Sequence, residues 1–169
     1  MIFVTVGTQL PFDRLLDWVS EALAALGIDE ECIAQVGETD KNWAGIHKIS
    51  SVSTSEFSEL IERARLVIAH AGMGTIIQCA SIGKPLIIVP RLSRFGEHRN
   101  DHQVDTAEKF SSSLIQVISD REQLIKCVNN MLQDEVVSGK NAFTKSSALG
   151  CFLSDYIDGC DENSRQPNE

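Results

Sequence analysis

Three short polar segments contain the residue types that bind anionic ligands, and each follows an apolar run. They are GTQ at 7–9, HAGMGT at 70–75 and GEHRNDHQ at 96–103. Glycine lets a backbone amide approach a ligand closely, and amides at the start of a helix attract phosphate. The hydroxyls of Thr8 and Thr75 can donate hydrogen bonds to the same phosphate oxygens. The first two segments therefore indicate phosphate binding.

Each glycine-containing segment also has a plainer interpretation. Gly7 can serve a tight turn between a strand and a helix, and the pair Gly72 and Gly74 lacks the full GxGxxG spacing of a dinucleotide site. A lone histidine such as His70 at the end of a strand more often serves the structure than a ligand. The segments point to a binding site because they occur together, and each one alone leaves both interpretations open.

The third segment, residues 96–103, combines two histidines, two carboxylates, an arginine and two amides. Such side chains offer the directional donors and acceptors that read sugar hydroxyls, and the candidates are Asn100, Asp101, His102 and Gln103. His98 and His102 stand four residues apart, as metal ligands on a helix do, but the glutamate of a HExxH site and a third ligand are missing. No metal site is predicted. A GxSxG elbow is also missing, which disfavours a hydrolase.

Short β-branched runs alternate with longer helical patterns, which is typical of βα units around a parallel sheet. The predicted strands are residues 2–6, 32–36, 66–69, 86–89 and 114–118, with a weaker sixth at 46–49. The predicted helices are residues 12–26, 54–64, 74–82, 101–110 and 121–132. Gly27 is predicted to end the first helix, and Thr54 or Ser55 to cap the second. The predicted fold class is α/β, a Rossmann-like parallel sheet flanked by helices, with ligands at the carboxyl ends of its strands.

The composition indicates an acidic protein with one domain. The 169 residues carry a formal net charge of -9, which argues against a nucleic-acid partner because phosphate backbones require clustered Lys and Arg. We expect one domain at 1–159 and a frayed polar tail at 160–169. The five cysteines are scattered and odd in number, so we expect reduced thiols, as in the cytosol. The N-terminus lacks a signal-peptide pattern, and no apolar run reaches the roughly 20 residues that span a bilayer.

Taken in order, these motifs resemble a known family. HAGMGTII at 70–77, GKPLIIVP at 83–90 and EHRNDHQ at 97–103 resemble the C-terminal nucleotide-sugar-binding domain of GT-B glycosyltransferases, in the family 28 branch. The opening IFVTVGTQLPFDRLL at 2–16 is similar to the short stand-alone members of that branch. Those members are cytosolic catalytic subunits, either of the two-component dolichol-linked UDP-GlcNAc transferase or of bacterial exopolysaccharide and capsule glycosyltransferases. The resemblance extends over about residues 1–110.

The resemblance implies a role for each candidate residue. The residues that match the family's phosphate-binding loops are Gly7, Thr8, His70, Gly72, Gly74 and Thr75. His102 and Gln103 fall where the family reads the hydroxyls of the donor sugar. Gln78 stands where many members carry a ribose-binding glutamate, and an amide bonds a hydroxyl less strongly than a carboxylate does.

The reaction that the resemblance implies is inverting transfer from a UDP-sugar, with no cofactor and no obligatory metal. Fixed dipoles at a helix N-terminus would stabilise the UDP leaving group, and a general base would activate the acceptor hydroxyl. The sequence does not place that base. A complete GT-B enzyme needs two facing domains, so we expect a membrane-anchored, acceptor-binding glycosyltransferase subunit as the partner. That partner would bring the lipid-linked acceptor and recruit this cytoplasmic chain to the cytoplasmic face of a membrane.

Two questions stay open at the level of the sequence. A UDP-GlcNAc 2-epimerase has the same fold but also needs two domains in one chain, whereas a regulatory subunit would bind a nucleotide-sugar without transferring it. Near the C-terminus, a helical stripe is formed by Phe152, Leu153, Tyr156 and Ile157. This stripe either packs on its own domain or docks the membrane-anchored partner.

Overall fold

Six parallel strands form one sheet in the computed structural model, which describes residues 1–8, 10–99 and 110–133. The strands are β1 (Ile2–Thr5), β2 (Cys32–Gln35), β3 (His47–Ile49), β4 (Leu66–Ala69), β5 (Leu86–Ile88) and β6 (Ile115–Val117). The helices are α1 (Asp13–Leu26), α2 (Thr54–Arg63), α3 (Met73–Ile82) and α4 (Arg121–Gln133), with a 3-10 turn at Ser93–Phe95. The strand order is β3-β2-β1-β4-β5-β6, so the topological switch point lies between β1 and β4.

Helices cover both faces of the sheet, and this explains why the residues of the central strands β1, β4 and β5 are all buried and almost all apolar. On one face, Val4 of β1 belongs to a buried cluster with Leu16 of α1 and Leu124 of α4. On the other face, Phe3 belongs to a second buried cluster with Ile76 of α3. Neighbouring residues of β1 therefore point to opposite sides, and both sides are sealed from water. The carboxyl ends of the strands are therefore the place where a ligand-binding site can form.

The helix ends follow local capping chemistry. α1 ends before Gly27, as predicted, and the positive φ of 61° at this position favours glycine. α2 is capped by Ser53, so the prediction of Thr54 or Ser55 as the N-cap was wrong. The reason is a reciprocal pair: the Glu56 amide donates to Ser53 Oγ (3.3 Å), and the Ser53 amide donates to the Glu56 carboxylate (2.7 Å). Of Ser53, Thr54 and Ser55, only Ser53 has a glutamate three residues later.

The structure confirms the predicted α/β fold and all six predicted strands, including the weaker one, with strand ends that differ by at most one residue. The predicted helix at 101–110 lies outside the described residues except for Phe110, and so do the stripe at 152–157 and the tail at 160–169. Within the described part, Cys32, Cys79 and Cys127 are free thiols. No helix in that part is both long enough and apolar enough to cross a bilayer.

Candidate functional site

A cavity of about 490 Å³ opens at the carboxyl ends of β1 and β4, beside the switch point. Its volume falls in the range of small-molecule sites, about 300–1,000 Å³. The predicted substrate-binding residues that line it are Gly7, Thr8, His70, Gly72, Gly74, Thr75 and Gln78. The four others lie outside the described residues, and their contact with a sugar stays a prediction: Asn100, Asp101, His102 and Gln103.

The imidazole of His70 lies between two glycines. A Cβ built on Gly7 would stand 2.6 Å from His70 Cε1, and a Cβ built on Gly72 would stand 2.5 Å from His70 Nε2. Both distances are too short for a real Cβ, so a side chain at either position would displace the ring. Gly7 also has a φ of 79°, which L-residues rarely adopt. The two glycines therefore make room for the histidine, a role that the sequence motifs did not reveal.

His70 is neutral at physiological pH. Burial lowers its pKa from 6.5 to about 4, and the positive charge of Arg91 adds to this effect. The backbone of Thr5 acts in the opposite direction, and His98 makes a smaller contribution that lowers the pKa. Nδ1 is buried and makes no well-aligned hydrogen bond to any residue that the structure describes. The cavity therefore has an uncharged imidazole in its wall.

The amino end of α3 lies at the cavity, and its first backbone donors have no partner within the helix. Gly72 precedes the helix and has no side chain that would cap it, and the Ile76 amide makes the first helical hydrogen bond, to the Gly72 carbonyl (3.1 Å). The amides of Met73, Gly74 and Thr75 come before that bond and have no partner within the helix. Apart from its two chain neighbours and the backbone of its own helix, no atom of the described chain lies within 4 Å of a Cβ built on Gly74, which lines the cavity. This geometry suits an anion.

A buried hydrogen-bond chain supports the turn at Gly7. Thr5 Oγ1 donates to Gln35 Oε1 (2.7 Å), and the Gly7 amide donates to Thr5 Oγ1 (3.2 Å). Thr5 and Gln35 are almost fully buried and both line the cavity. Sequence reasoning missed Gln35, although a polar residue at the carboxyl end of an apolar strand was the available signal.

The cavity also extends towards α2. Gln78 lines it, and Gln78 Nε2 donates to Ser58 Oγ on α2 (2.9 Å), so this amide already has a protein partner. Ser53, Thr54 and Phe57 line the same side and were not predicted from the sequence. They lie at the start of α2, the helix that follows β3. The three sequence motifs therefore reveal only part of the cavity wall.

The loop after β5 contributes both to the cavity and to the fold. Arg91 and His98 line the cavity, and Arg91 was not predicted. Glu97 serves the fold instead, since its carboxylate accepts two hydrogen bonds of 2.8 Å from Arg14 of α1. The metal hypothesis needs His102, which lies outside the described residues.

Gly72→Ala tests the packing of His70 against its glycine neighbour. We expect this change to lower the free energy of unfolding by roughly 1–2 kcal/mol, because the new methyl group overlaps the imidazole. In a His70→Ala background the same change should cost much less, which gives a coupling energy of about 1 kcal/mol between the two positions. Urea unfolding of the four proteins measures this coupling.

Gly7→Ala is the matched control for this double-mutant comparison of Gly72 and His70. Its methyl group meets the same ring, but the φ of 79° remains strained when the ring is removed. His70→Ala should therefore rescue Gly7→Ala only in part. If the effects of Gly72→Ala and His70→Ala simply add, the ring does not pack against Gly72.

The family was established by comparison with known proteins. The model of the glycosyltransferase family 28 C-terminal domain matches residues 1–153. The UDP-N-acetylglucosamine transferase subunit ALG13 of Kluyveromyces lactis is 25% identical over 186 residues, covering 85% of this chain and 92% of that protein. The proteins of the same name from Candida albicans and Yarrowia lipolytica are 31% identical over 77 residues and 27% identical over 122 residues. The matches cover 46% and 65% of this chain but only 25% and 60% of those two relatives.

Solved structures share the fold. The glycotransferase of kitacinnamycin superimposes with a TM-score of 0.61 at 18% identity, over 97% of this chain and 42% of that chain. A Listeria monocytogenes protein named as a UDP-N-acetylglucosamine 2-epimerase gives a TM-score of 0.59 at 15% identity, over 99% of this chain and 46% of that chain. The chain thus spans less than half the length of either protein. Because the family match runs from residue 1 to residue 153, the chain belongs to the glycosyltransferase family 28 C-terminal domain family.

Proposed function

We propose that this chain is the donor-binding, catalytic subunit of a two-component inverting glycosyltransferase. Its donor is a UDP-sugar, with UDP-GlcNAc as the first candidate, and its acceptor is lipid-linked. The observation that carries this proposal is the cavity at the switch point, where the uncapped amino end of α3 meets the turn at Gly7. Rossmann-like sheets bind nucleotides at this position.

In this proposal the diphosphate of the donor lies at the α3 side of the cavity. The amides of Met73, Gly74 and Thr75 and the helix dipole supply positive potential, and Gly74 leaves space for close approach. When the glycosidic bond to UDP breaks, negative charge grows on the leaving diphosphate. Donors that are already oriented stabilise that charge without reorganisation. The proposed chemistry needs no cofactor and no obligatory metal.

His70 is not the general base in this proposal. A pKa of about 4 makes its imidazole a weak proton acceptor at neutral pH, and a general base works best with a pKa near the working pH. A neutral imidazole at this position is instead suited to a hydrogen bond with the donor.

The choice of donor and the need for a partner rest on the relatives. The Kluyveromyces lactis protein, which the match covers almost completely, is named as a subunit of a UDP-N-acetylglucosamine transferase. We propose the same donor here, and a second subunit that is anchored in the membrane and binds the lipid-linked acceptor. This chain then works in the cytoplasm and is recruited to the membrane through that subunit.

Reconstitution tests the proposal. The chain and a candidate membrane-anchored subunit are purified separately and together, and sugar transfer to a lipid-linked acceptor is measured with UDP-GlcNAc, UDP-glucose, UDP-galactose and UDP-glucuronate. We expect transfer only from the pair, and most rapidly from UDP-GlcNAc. Donor binding without transfer by the pair would show a non-catalytic binding subunit. No binding of any donor would overturn the proposal as a whole.

His102→Ala and Gln103→Ala test the sugar-reading role that the sequence predicts for these two residues. We expect each change to weaken UDP-sugar binding by about 0.5–1.5 kcal/mol through the loss of a hydrogen bond, and to leave the affinity for UDP almost unchanged. Calorimetric titration with UDP and with UDP-GlcNAc gives the two affinities. Equal losses for both ligands would assign the residues to the nucleotide or to the fold.

A further inference from the structure

Arg91 links the loop after β5 to the turn that follows β1. Its Nη2 donates to the carbonyl oxygens of Val6 (2.8 Å) and Leu10 (2.6 Å), and its Nη1 donates to the carbonyl oxygen of Pro11 (2.7 Å). These three carbonyls bracket the turn that carries Gly7. One guanidinium therefore holds both ends of that turn.

The guanidinium has little freedom to move. Arg91 is 3% exposed and lies over the ring of Phe12, with 4.6 Å between Cζ and the ring centroid. Nη1 also donates to the carbonyl oxygen of Glu97 (3.3 Å), which ties the same group to its own loop. A planar fork with several fixed donors can satisfy carbonyls in different directions, and a lysine ammonium cannot reproduce that geometry.

Arg14 provides a natural comparison. It is also largely buried, with 13% of its side chain exposed, and it also contacts the loop after β5. Its hydrogen bonds within the described part of the chain go to the Glu97 carboxylate and to the Pro90 carbonyl (2.9 Å). Arg14 therefore fastens α1 to the loop after β5, whereas Arg91 fastens the turn at Gly7.

The turn that Arg91 holds forms one wall of the cavity. Gly7 packs against the ring of His70, and Gly7, Thr8 and His70 all line the cavity. A shift of the turn would change the distance between Thr8 and the amino end of α3, which are the two places where a diphosphate would be held. A loop that is fixed before binding loses less entropy when the ligand binds.

We propose that Arg91 is a positioning residue for the donor: its guanidinium fixes the turn at Gly7 and Thr8 in the geometry that receives the diphosphate. This inference rests on the proposed function, in which the cavity holds a UDP-sugar. The role of Arg91 is geometric. It depends on the fork of donors to the carbonyls of Val6, Leu10 and Pro11 rather than on positive charge alone.

Matched arginine-to-lysine changes separate geometry from charge. We expect Arg91→Lys and Arg91→Met to weaken UDP binding by about tenfold each, because both lose the fork. Arg14→Lys is expected to lower the melting temperature and to leave the dissociation constant for UDP within about twofold, because no hydrogen bond of Arg14 within the described residues reaches the turn at Gly7. Calorimetric titration of each full-length variant with UDP gives the dissociation constants, and thermal unfolding shows the folded fraction.

Measurements without ligand keep the test independent of the proposed function. In ¹⁵N spectra of the free protein, the Arg91 Nη protons should exchange slowly in the wild type, and the Gly7 and Thr8 amide signals should shift or broaden in Arg91→Lys. If the wild type does not bind UDP, the proposed function fails, and these signals still decide whether Arg91 holds the turn. Wild-type affinity in Arg91→Lys, or rapid exchange of the Arg91 Nη protons, would overturn the inference.

Discussion

Gly74→Leu is expected to abolish UDP binding and to leave the fold intact. Gly74 lines the cavity at the amino end of α3, and a Cβ at this position meets no described atom within 4 Å beyond its chain neighbours and its own helix backbone, so the protein itself tolerates a side chain there. A leucine would occupy the space through which phosphate reaches the helix amides. The loss of about two charge-assisted hydrogen bonds weakens binding by at least roughly a hundredfold. Calorimetric titration with UDP measures this loss.

Gly74→Ala provides the graded control. Alanine is a better helix former than glycine by roughly 0.5–1 kcal/mol, so this variant is expected to be at least as stable as the wild type while it binds UDP more weakly. Stability and affinity would then change in opposite directions, which general damage to the fold cannot produce. Full affinity for UDP in Gly74→Leu would show that the diphosphate does not bind at α3.

The stability of the wild type should fall more steeply in acid than that of His70→Gln. The folded-state pKa of His70 is about 4 and its ordinary value is 6.5, so its neutral form stabilises the fold above about pH 6.5. That contribution is lost as the pH falls towards 4, because the unfolded chain then binds a proton that the folded chain does not. The loss amounts to about 3 kcal/mol between pH 7 and pH 4.

Urea unfolding at a series of pH values measures this difference. The carboxylates and the other histidines titrate in both proteins, so the difference between the wild type and His70→Gln isolates His70. Parallel curves for the two proteins would show that the imidazole is not held neutral by burial. The experiment concerns the folded state and needs no ligand.

The central strands of the sheet were predictable because their residues are buried on both faces. β4 and β5 are entirely apolar and β1 is apolar except for Thr5, and such runs need no tertiary information to be recognised. The N-cap of α2 was also encoded locally, in the pair Ser53 and Glu56, although the prediction chose the wrong residue of that short segment. Local chemistry thus determines most of the fold.

The cavity wall was predictable only where glycines and strand ends coincide. Gly72 and Gly74 mark the start of α3. Their place directly after an apolar run of the sequence was sufficient to predict them as site residues. The role of Arg91 depends on carbonyls at Val6, Leu10 and Pro11, which are 80 or more residues away in sequence. Backbone carbonyls have no sequence signature, so such a contact becomes visible only when the chain is folded.

The histidine between two glycines shows the same limit. His70, Gly7 and Gly72 were all predicted as site residues, but for contacts with a phosphate and not for contacts with one another. Their packing depends on the pairing of β1 with β4, where Thr5 lies opposite Ala69 and brings the following residues together. Sequence spacing alone does not reveal that approach.

In the proposed function this cavity holds the diphosphate of a UDP-sugar, and an NMR titration of the ¹⁵N-labelled full chain with UDP-GlcNAc is the sharpest test of that placement. We expect saturable shifts that are centred on the amides of Gly7, Thr8, Gly74 and Thr75, and their absence in Gly74→Leu. UDP alone should shift the same signals, because the diphosphate is common to both ligands. A folded protein that shows no shifts with either ligand, or shifts confined to residues away from this cavity, would contradict the account.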